Sequence, residues 1–222
     1  MSFIVAIDGP AGSGKGTVAK LVANKLGFLT MDTGAMYRCV TVYFIDNNIK
    51  LEEEQEVKDA LEKINIDMQE IEGLQNFFLN GENVSNRIRT KEVDDLVSQV
   101  SHTVPVRLAM VDLQRKLADG KKMVMEGRDI GTNVFPNAEV KIYLDASPEE
   151  RARRRMEQNK QKGINNISYE EILKNVKFRD HNDMTSSVAP LKKADDAIVV
   201  DSSELTIEEV VKIVEDIIRE KM

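Results

Sequence analysis

Short apolar runs alternate with longer amphipathic stretches along the chain. Five mostly apolar runs predict β-strands, because strands that are covered by helices on both faces show little polar alternation. They are Phe3–Ile7, Phe28–Met31, Met123–Met125, Val140–Leu144 and Ala197–Val200. Helical patterns follow most of these runs, and strands that alternate with helices form a parallel sheet. The pattern predicts an α/β fold with a five-stranded parallel sheet flanked by helices.

Several helix starts carry explicit capping signals. The segment Ser147-Pro148-Glu149-Glu150 combines a Ser N-cap with Pro at the first helical position and Glu at the third. Ser168 and Thr206 each stand three residues before a Glu, which is the spacing of a capping box. Pro105 opens a further helix that Gly120 closes. These signals predict four helix starts and one helix end independently of the apolar periodicity.

One stretch departs from the alternation of strands and helices. Leu51–Ile64 predicts an acidic amphipathic helix. Apolar residues then alternate at Ile64, Ile66 and Met68, and Phe77–Gly81 ends in Asn-Gly, a hairpin signal. The pattern predicts an antiparallel insert between the second and third strands of the parallel sheet.

Composition narrows the class of protein. A chain of 222 residues with 41% hydrophobic and 31% charged residues predicts one globular unit and excludes a disordered chain. The lone Cys39 excludes a disulfide framework and is typical of the cytoplasm. No apolar run reaches the roughly 20 residues of a membrane span, and the first residues lack the basic region of a signal peptide. We therefore expect a cytoplasmic protein without a membrane partner.

The net charge of −7 is distributed unevenly. Residues 51–72 carry nine acidic and two basic side chains, whereas residues 151–179 carry nine basic and three acidic ones. The overall acidity argues against nucleic acid as a partner. Any anionic ligand therefore needs local positive charge, which the second segment can supply.

A glycine-rich loop stands between the first predicted strand and the first predicted helix. Glycines let successive backbone N–H groups curve around a phosphate, and the helix N-terminus adds about half a positive charge. Lys15 is placed to reach the β- and γ-phosphates of a nucleotide. The predicted nucleotide-binding residues are Gly9, Pro10, Ala11, Gly12, Ser13, Gly14, Lys15, Gly16 and Thr17.

Thr17 is the predicted Mg²⁺ ligand of this loop. The usual phosphate-loop pattern has Ser or Thr directly after the lysine, whereas Gly16 intervenes here. It stays open whether Thr17 contacts Mg²⁺ directly or through water. Asp8 and Glu126 stand at strand ends, where they either support Mg²⁺ indirectly or simply end their strands.

The phosphate loop by itself does not distinguish a kinase from a GTPase or a motor ATPase. A GTPase needs an Asn-Lys-x-Asp tetrad, and neither Asn24-Lys25 nor Asn159-Lys160 is followed by the acidic residue. A kinase needs a second basic site for its acceptor. Asp32–Arg38 and Glu126–Thr132 follow predicted strands, where open α/β sheets bind ligands, and Arg179–Asp183 lies late in a helix. These three clusters are the candidates for that site.

Seven motifs of the chain match one family. They are Ile7-Asp8-Gly9-Pro10, Asp32-Thr33-Gly34-Ala35-Met36-Tyr37-Arg38, Ile88-Arg89-Thr90, Gly127-Arg128-Asp129-Ile130-Gly131-Thr132, Glu149-Glu150-Arg151-Ala152, Arg179-Asp180 and Ala189-Pro190-Leu191. Through these motifs the chain resembles the bacterial cytidylate kinases, which act on CMP and dCMP. The resemblance extends from Phe3 to Ile218. The second and fourth motifs are far more specific than the phosphate loop.

The resemblance implies a P-loop kinase fold with a small antiparallel monophosphate-binding insert and a helical lid. Within a single unit of residues 1–222, the core would cover 1–50 and 97–222, the insert about 51–96 and the lid about 150–168. The resemblance also implies ATP and Mg²⁺ as cofactors, CMP and dCMP as acceptors, and a monomer.

The resemblance assigns an acceptor site residue by residue. The implied set is Thr33, Arg38, Ser98, Arg107, Arg128, Asp129, Arg179 and Asp183. Arg38 and Arg128 would clamp the acceptor phosphate, since each can make bidentate contacts. Asp129 would orient the base or its arginines.

The remaining members of the set would contact the nucleoside. Ser98 and Arg107 fall where the family contacts the cytosine, and Arg179 and Asp183 match a ribose-contacting pair. Many relatives carry Arg three positions after the Asp183 equivalent, where this chain has Ser186. A direct arginine contact to the acceptor is therefore missing, or Lys192 or Lys193 replaces it.

The catalytic residues implied are Lys15, Arg128, Arg151 and Arg155. Lid arginines of the family reach the transferring phosphates, and closure of the lid would exclude water. The arginines of the run Arg151–Arg155 point to different faces of one helix, so spacing does not select which ones make the contact. The run could also be a solvated helix face.

The function that follows is ATP-dependent phosphorylation of CMP and dCMP in pyrimidine nucleotide metabolism. One alternative is another small-molecule kinase that acts on UMP, AMP or a non-nucleotide. The other alternative is an ATP-binding regulatory switch, which predicts slow hydrolysis without an acceptor and an exposed apolar patch for a partner.

Overall fold

Eight strands and eight helices are formed by the described residues, 2–71, 74–161, 163 and 167–222, of this computed structural model. In chain order they are β1 (Phe3–Asp8), α1 (Lys15–Leu26), β2 (Leu29–Asp32), α2 (Thr33–Asp46), α3 (Glu54–Leu61), β3 (Ile66–Ile71), β4 (Leu74–Leu79), β5 (Glu82–Asn83), α4 (Lys91–His102), α5 (Val104–Ala118), β6 (Lys122–Gly127), β7 (Val140–Asp145), α6 (Pro148–Gln161), α7 (Tyr169–Thr185), β8 (Ile198–Asp201) and α8 (Ile207–Arg219). A 3₁₀ turn forms at Arg87–Arg89 and a π-helical turn at Ile130–Val134.

The chain divides into two compact units. The first comprises Met1–Met31 and Ala118–Met222, and the second comprises Asp32–Leu117. The predicted insert, about 51–96, falls inside the second unit, and its residues 72 and 73 lie outside the described residues. The predicted lid, about 150–168, includes 162 and 164–166, which also lie outside them. The predicted division into core, insert and lid stays a prediction.

The parallel sheet has the strand order β2-β6-β1-β7-β8. Each predicted apolar run is confirmed as a strand, with ends that differ by at most two residues. β1 lies between β6 and β7 and pairs with both in parallel. Because the carboxyl ends of parallel strands share one edge, Asp8, Gly127 and Asp145 end their strands together there.

The core of the first unit lies where α1 and α8 pack on the sheet. Both helices bury apolar residues at helical spacing, so each presents one continuous apolar stripe. The buried residues of this cluster include Val18, Val22 and Ala23 of α1, Val210, Val214 and Ile218 of α8, and Val5, Ile7, Ile142 and Leu144 of the sheet. β1 is buried from Ile4 to Asp8 without a break, which explains why its sequence shows no alternation.

The second unit contains the antiparallel insert. β3 pairs with β4 in a register that sets Ile66 opposite Leu79 and Met68 opposite Phe77. The Asn80-Gly81 turn joins β4 to β5, with φ angles of 51° and 87° that suit Asn and Gly. The hairpin predicted from the alternation is therefore confirmed.

The predicted helix starts are also confirmed. Ser168 accepts a hydrogen bond from the Glu171 N–H while the Glu171 carboxylate accepts one from the Ser168 N–H, and Thr206 and Glu209 repeat this box. Ser147 Oγ accepts from the Glu150 N–H at 3.2 Å. Among the described residues, no helix combines the length and the apolar character that a bilayer crossing requires.

Two isoleucines of α8 test the core. Ile218 is 0% exposed and Ile213 is 38% exposed. We expect Ile218→Ala to lower the free energy of unfolding by about 2–5 kcal/mol, because it leaves a cavity in the core. Ile213→Ala, the matched control on the same helix, should cost under about 1 kcal/mol. Urea unfolding followed by circular dichroism measures both, and equal losses would contradict the packing of α8.

Candidate functional site

The phosphate loop leaves the centre of the parallel sheet through Gly9. Gly9 has a φ of +151°, and a Cβ at this position would overlap the backbone carbonyl oxygen of Leu144 in β7. Only glycine therefore allows the chain to turn out of β1 while it passes so close to β7. The loop ends at Gly14, where α1 begins.

Carbonyl oxygens of the loop are turned towards donors from the surrounding protein. Lys15 Nζ donates to the Pro10 carbonyl oxygen at 2.7 Å, and Arg151 donates to that of Ala11 at 3.1 Å. Arg154 and Ser202 Oγ lie 3.4 and 3.2 Å from the Ser13 carbonyl oxygen. Since C=O and N–H point in opposite directions in a trans peptide, the contacts with Arg151, Arg154 and Ser202 direct the N–H groups of Gly12 and Gly14 to the other side. The loop is thus arranged to receive an anion.

Ser13 and Lys15 add to the anion-binding character of the loop. Ser13 Oγ is buried and has no hydrogen-bond partner within the described part of the chain. Burial and, to a smaller extent, the nearby Arg128 guanidinium lower the pKa of Lys15 to about 7, against the opposing effects of Glu126 and Asp8. A bound phosphate would satisfy both side chains, because it accepts hydrogen bonds and favours the charged ammonium.

Arg128 and Asp129 follow β6 and are held from two sides. Arg128 Nε donates to Asp183 Oδ2 of α7 at 2.9 Å. The buried Asp8 carboxylate accepts from the N–H groups of Ile130 and Gly131 at 2.8 and 2.7 Å. It thereby anchors the backbone directly after Asp129. Burial raises the pKa of Asp8 to about 6, although these two hydrogen bonds oppose the shift.

Glu126 lies close to the position where the phosphate loop departs from its usual pattern. A Cβ at Gly16 would lie 3.0 Å from Glu126 Oε1, so a Ser or Thr at this position would require the carboxylate to shift by a few tenths of an ångström. The described residues contain no cluster of three or more acidic, His or Cys side chains that could hold a metal ion. Thr17 and Glu126 supply hard oxygen donors near the loop, and this sparse set fits Mg²⁺, which keeps waters and binds mainly through nucleotide phosphates.

The arginines of α6 differ sharply in their surroundings. Arg151 is buried and pairs with Asp180 of α7, and Arg154 donates to the Ser202 carbonyl oxygen at 2.5 Å. Arg153 lies on the surface and pairs with Glu150 and Glu157, which matches the solvated helix face that the run also predicted. Arg155 is exposed. The predicted contacts of Arg151 and Arg155 with a transferring phosphate stay predictions.

Two predicted acceptor residues of the second unit, Thr33 and Arg38, lie on α2. Asp32 Oδ1 caps this helix by accepting from the Ala35 N–H at 2.8 Å, and Thr33, its first residue, is buried. Arg38 donates to the Ile88 carbonyl oxygen at 3.0 Å and to Asp94 Oδ1 at 2.5 Å. The 3₁₀ turn and α4 thus hold the Arg38 guanidinium.

Arg107 and Ser98 occupy two different environments in this second unit. Arg107 is buried, and its guanidinium lies over the Tyr37 ring, 5.2 Å from the ring centroid. Ser98 is exposed on α4. Their predicted contacts with a cytosine stay predictions.

The predicted ribose pair lies on α7 in the first unit. Asp183 is engaged by Arg128, and Arg179 is exposed one turn earlier on the same helix. Ser186, which stands where many relatives carry Arg, ends α7 as its C-cap residue.

Sequence reasoning missed Asp94 and Asp180 as arginine partners, because acidic residues on helices are common and nothing in their spacing marks a distant partner.

Comparison with known proteins places this geometry in context. A family model described as cytidylate kinase matches residues 5–220. The cytidylate kinase of Fusobacterium nucleatum is 50% identical over 96% of this chain and 95% of its own. That of Carboxydothermus hydrogenoformans is 50% identical over 98% of this chain and 97% of its own.

Solved structures share the fold at much lower identity. An uncharacterized protein from Eubacterium ventriosum has a TM-score of 0.55 at 13% identity, with 98% of each chain covered. Shikimate kinase from Bacteroides thetaiotaomicron has a TM-score of 0.50 at 11% identity, with 99% of each chain covered. The predicted fold class, that of an α/β P-loop kinase, is confirmed. Likeness at this level of identity supports the fold alone.

Alanine substitutions at two glycines test whether β7 leaves no room for a side chain at Gly9. Gly9→Ala should lower the free energy of unfolding by more than about 3 kcal/mol or prevent folding, because its Cβ meets backbone that cannot move aside. Gly27→Ala is the control, since Gly27 has a φ of +67° and a Cβ there would meet no described atom within 4 Å. It should cost only about 1–2 kcal/mol for the left-handed backbone. Urea unfolding compares the two, and similar losses would contradict the crowding at Gly9.

The lowered pKa of Lys15 predicts a pH dependence of nucleotide binding. Bound phosphates favour the charged ammonium, so the pKa of Lys15 should be higher in the complex and binding above pH 7 should take up a proton. The Kd of ADP should rise up to about tenfold per pH unit above pH 7. Calorimetric titration between pH 7 and 9 measures this rise. Lys15→Arg, which stays charged, should flatten the profile, and a flat profile for the unaltered protein would refute the prediction.

Proposed function

Because the chain belongs to the cytidylate kinase family, we propose that it transfers the γ-phosphoryl group of ATP to CMP and dCMP, which gives CDP or dCDP and ADP. The observation that carries this proposal is the family match over residues 5–220, which includes both the phosphate loop and the Arg128-Asp129 segment. Phosphoryl transfer needs positioned substrates and stabilised charge rather than a covalent intermediate, and the residues below are proposed to supply both.

The phosphate loop of the first unit is the proposed ATP site. Its N–H groups would surround the phosphates. The contacts of the Ala11 and Ser13 carbonyl oxygens with α6 support this, as does Ser13 Oγ, which has no hydrogen-bond partner among the described residues. Lys15 would leave the Pro10 carbonyl oxygen and donate to the β- and γ-phosphates. The exchange replaces a neutral acceptor by an anionic one, and charge-assisted hydrogen bonds are the stronger kind.

The acceptor would be bound through arginines that are already held in place. Arg38 is proposed to contact the CMP phosphate while Asp94 and the Ile88 carbonyl hold its guanidinium. Arg128 is proposed as a further phosphate ligand, and Asp183 limits its freedom in the absence of substrate. A held guanidinium loses less entropy on binding than a free one, which favours affinity.

The nucleoside contacts are proposed from the family. Thr33, Ser98, Arg107 and Asp129 would contact the acceptor and its base. Arg179 and Asp183 would contact the ribose. This assignment accounts for acceptance of both CMP and dCMP.

Mg²⁺ is proposed to be held by the nucleotide phosphates, by water and by Thr17 at the loop, with the Glu126 carboxylate near Gly16 as a further oxygen. When bound, the ion would neutralise charge on the phosphates. The protein residues would keep the donor and acceptor aligned and shield them from water. Arg155 is proposed to reach the transferring phosphate when the lid closes.

The other features of the proposal concern the setting of the reaction. A buried free thiol at Cys39, whose pKa burial raises to about 12, supports a structural rather than a nucleophilic cysteine and a cytoplasmic location. CMP, dCMP and ATP are the proposed small-molecule partners. The protein is proposed to act as a monomer.

An acceptor panel tests the proposed function. We expect rapid ADP release from ATP with CMP and with dCMP, and at least about tenfold lower kcat/KM with UMP or AMP. A coupled assay that follows ADP gives the four values under identical conditions. A clear preference for AMP would refute the assignment to CMP. ADP release without any acceptor would favour an ATP-dependent switch.

The control for this panel is Lys15→Met. This variant removes the cation at the phosphates and should lower kcat at least about a hundredfold. Its circular dichroism spectrum should match that of the unaltered protein, because Lys15 contributes no apolar contact to the core cluster. Residual activity close to normal in Lys15→Met would mean that Lys15 does not act in the transfer.

A further inference from the structure

Arg151 is bound on all sides by protein atoms, although it was predicted to contact a transferring phosphate. Its Nε donates to the Ala146 carbonyl oxygen at 2.8 Å. Its two terminal nitrogens donate to the carboxylate oxygens of Asp180 at 2.9 and 2.6 Å, and one of them also donates to the Ala11 carbonyl oxygen at 3.1 Å. Four of its five N–H donors are therefore used by partners within the chain.

The contact with Ala11 determines the direction of one peptide group in the phosphate loop. Ala11 C=O and Gly12 N–H belong to the same trans peptide and point in opposite directions. When the Arg151 guanidinium holds this carbonyl, the Gly12 N–H is directed to the opposite side, where the loop receives an anion. The Arg151 stem supports the same segment, since a Cβ at Gly12 would lie 3.5 Å from Arg151 Cβ.

Asp180 holds the Arg151 guanidinium in this orientation. The side chains of Arg151 and Asp180 are only 3% and 13% exposed. The carboxylate takes one N–H from each terminal nitrogen, so it fixes the guanidinium plane as well as its position. Removal of either partner would leave a buried charge without its counterion.

We propose that Arg151 and Asp180 form a positioning pair that orients the Ala11–Gly12 peptide of the phosphate loop for the nucleotide phosphates. The pair acts through the loop backbone and does not itself contact the transferring group. The proposal rests on the proposed function insofar as the loop binds ATP. It extends that function, because it assigns Asp180 a role in orienting the loop. It also assigns Arg151 this role in place of a contact with the transferring phosphate.

The test separates loop orientation from fold stability by combining two substitutions. Arg151→Met should weaken ADP binding about tenfold, because the loop loses an orienting hydrogen bond, and should also lower the Tm, because Asp180 is left unpaired. The double variant Arg151→Met/Asp180→Asn removes the unpaired charge and should regain most of the Tm. ADP binding should stay about tenfold weaker in the double variant. Calorimetry measures the Kd of ADP, and thermal unfolding measures the Tm.

Two further variants complete the comparison. Arg153→Met is the matched control, because Arg153 lies on the same helix, is 59% exposed and pairs with Glu150 and Glu157 on the surface. It should change the Kd of ADP less than about twofold. Arg151→Lys keeps the positive charge but lacks the planar fork, so it should weaken ADP binding by about threefold. If Arg151→Met does not fold, the double variant and Arg151→Lys decide the question.

Two results would overturn the proposal. If ADP affinity recovers together with the Tm in the double variant, the pair serves only stability. If the Kd of ADP is unchanged in Arg151→Met while kcat falls about a hundredfold, Arg151 contacts the transferring phosphate directly. Because ADP binding is measured without CMP, a failure of the proposed acceptor would show in the acceptor panel and would leave this outcome unaffected.

Discussion

The direction of the peptide groups in the phosphate loop is the constraint on which the surrounding structure depends. A loop that receives phosphates must aim its N–H groups inward, so its carbonyl oxygens need donors on the outside. Arg151 and Arg154 supply such donors to the Ala11 and Ser13 carbonyl oxygens, and Ser202 Oγ is a further donor to that of Ser13. Gly9 makes the arrangement possible, because only a residue without a Cβ can turn out of β1 beside the Leu144 carbonyl. Helix α6, which carries both arginines, therefore helps to fix the conformation of the phosphate loop.

The positively charged donors around the phosphate loop need compensating negative charges within the first unit. Arginines that are removed from water need partners that compensate their charge, and acidic residues of α7 meet that need. Asp180 pairs with Arg151 and Asp183 with Arg128, one turn apart on α7. Lys15 donates to the Pro10 carbonyl oxygen, and its burial beside Arg128 lowers its pKa. The site therefore carries positive charge that a nucleotide can neutralise, within a protein whose net charge is −7.

In the second unit, another arginine is held in place by hydrogen bonds to the surrounding protein. Arg38 is held by a carboxylate, Asp94, and by the Ile88 carbonyl oxygen, so its guanidinium is directed before any ligand binds. Arg89 pairs with Asp32, which also caps α2. In both units, a carboxylate from a neighbouring element holds an arginine that the family motifs assign to phosphate binding. Such prior orientation lowers the entropy lost when a substrate is bound.

The sequence by itself determined the features whose signals are local. The five apolar runs, the capping boxes at Ser168 and Thr206, and the Asn80-Gly81 turn each depend on neighbouring residues, and the structure confirms them. Motif likeness pointed to the family, and the comparisons bear it out. Only the tertiary structure determined which charged side chains bind which distant partners. Arg151 and Asp180 are 29 residues apart, and Asp8 is 122 residues from Ile130. No short pattern links such positions, because their contact arises only when the parallel sheet and α7 bring them together.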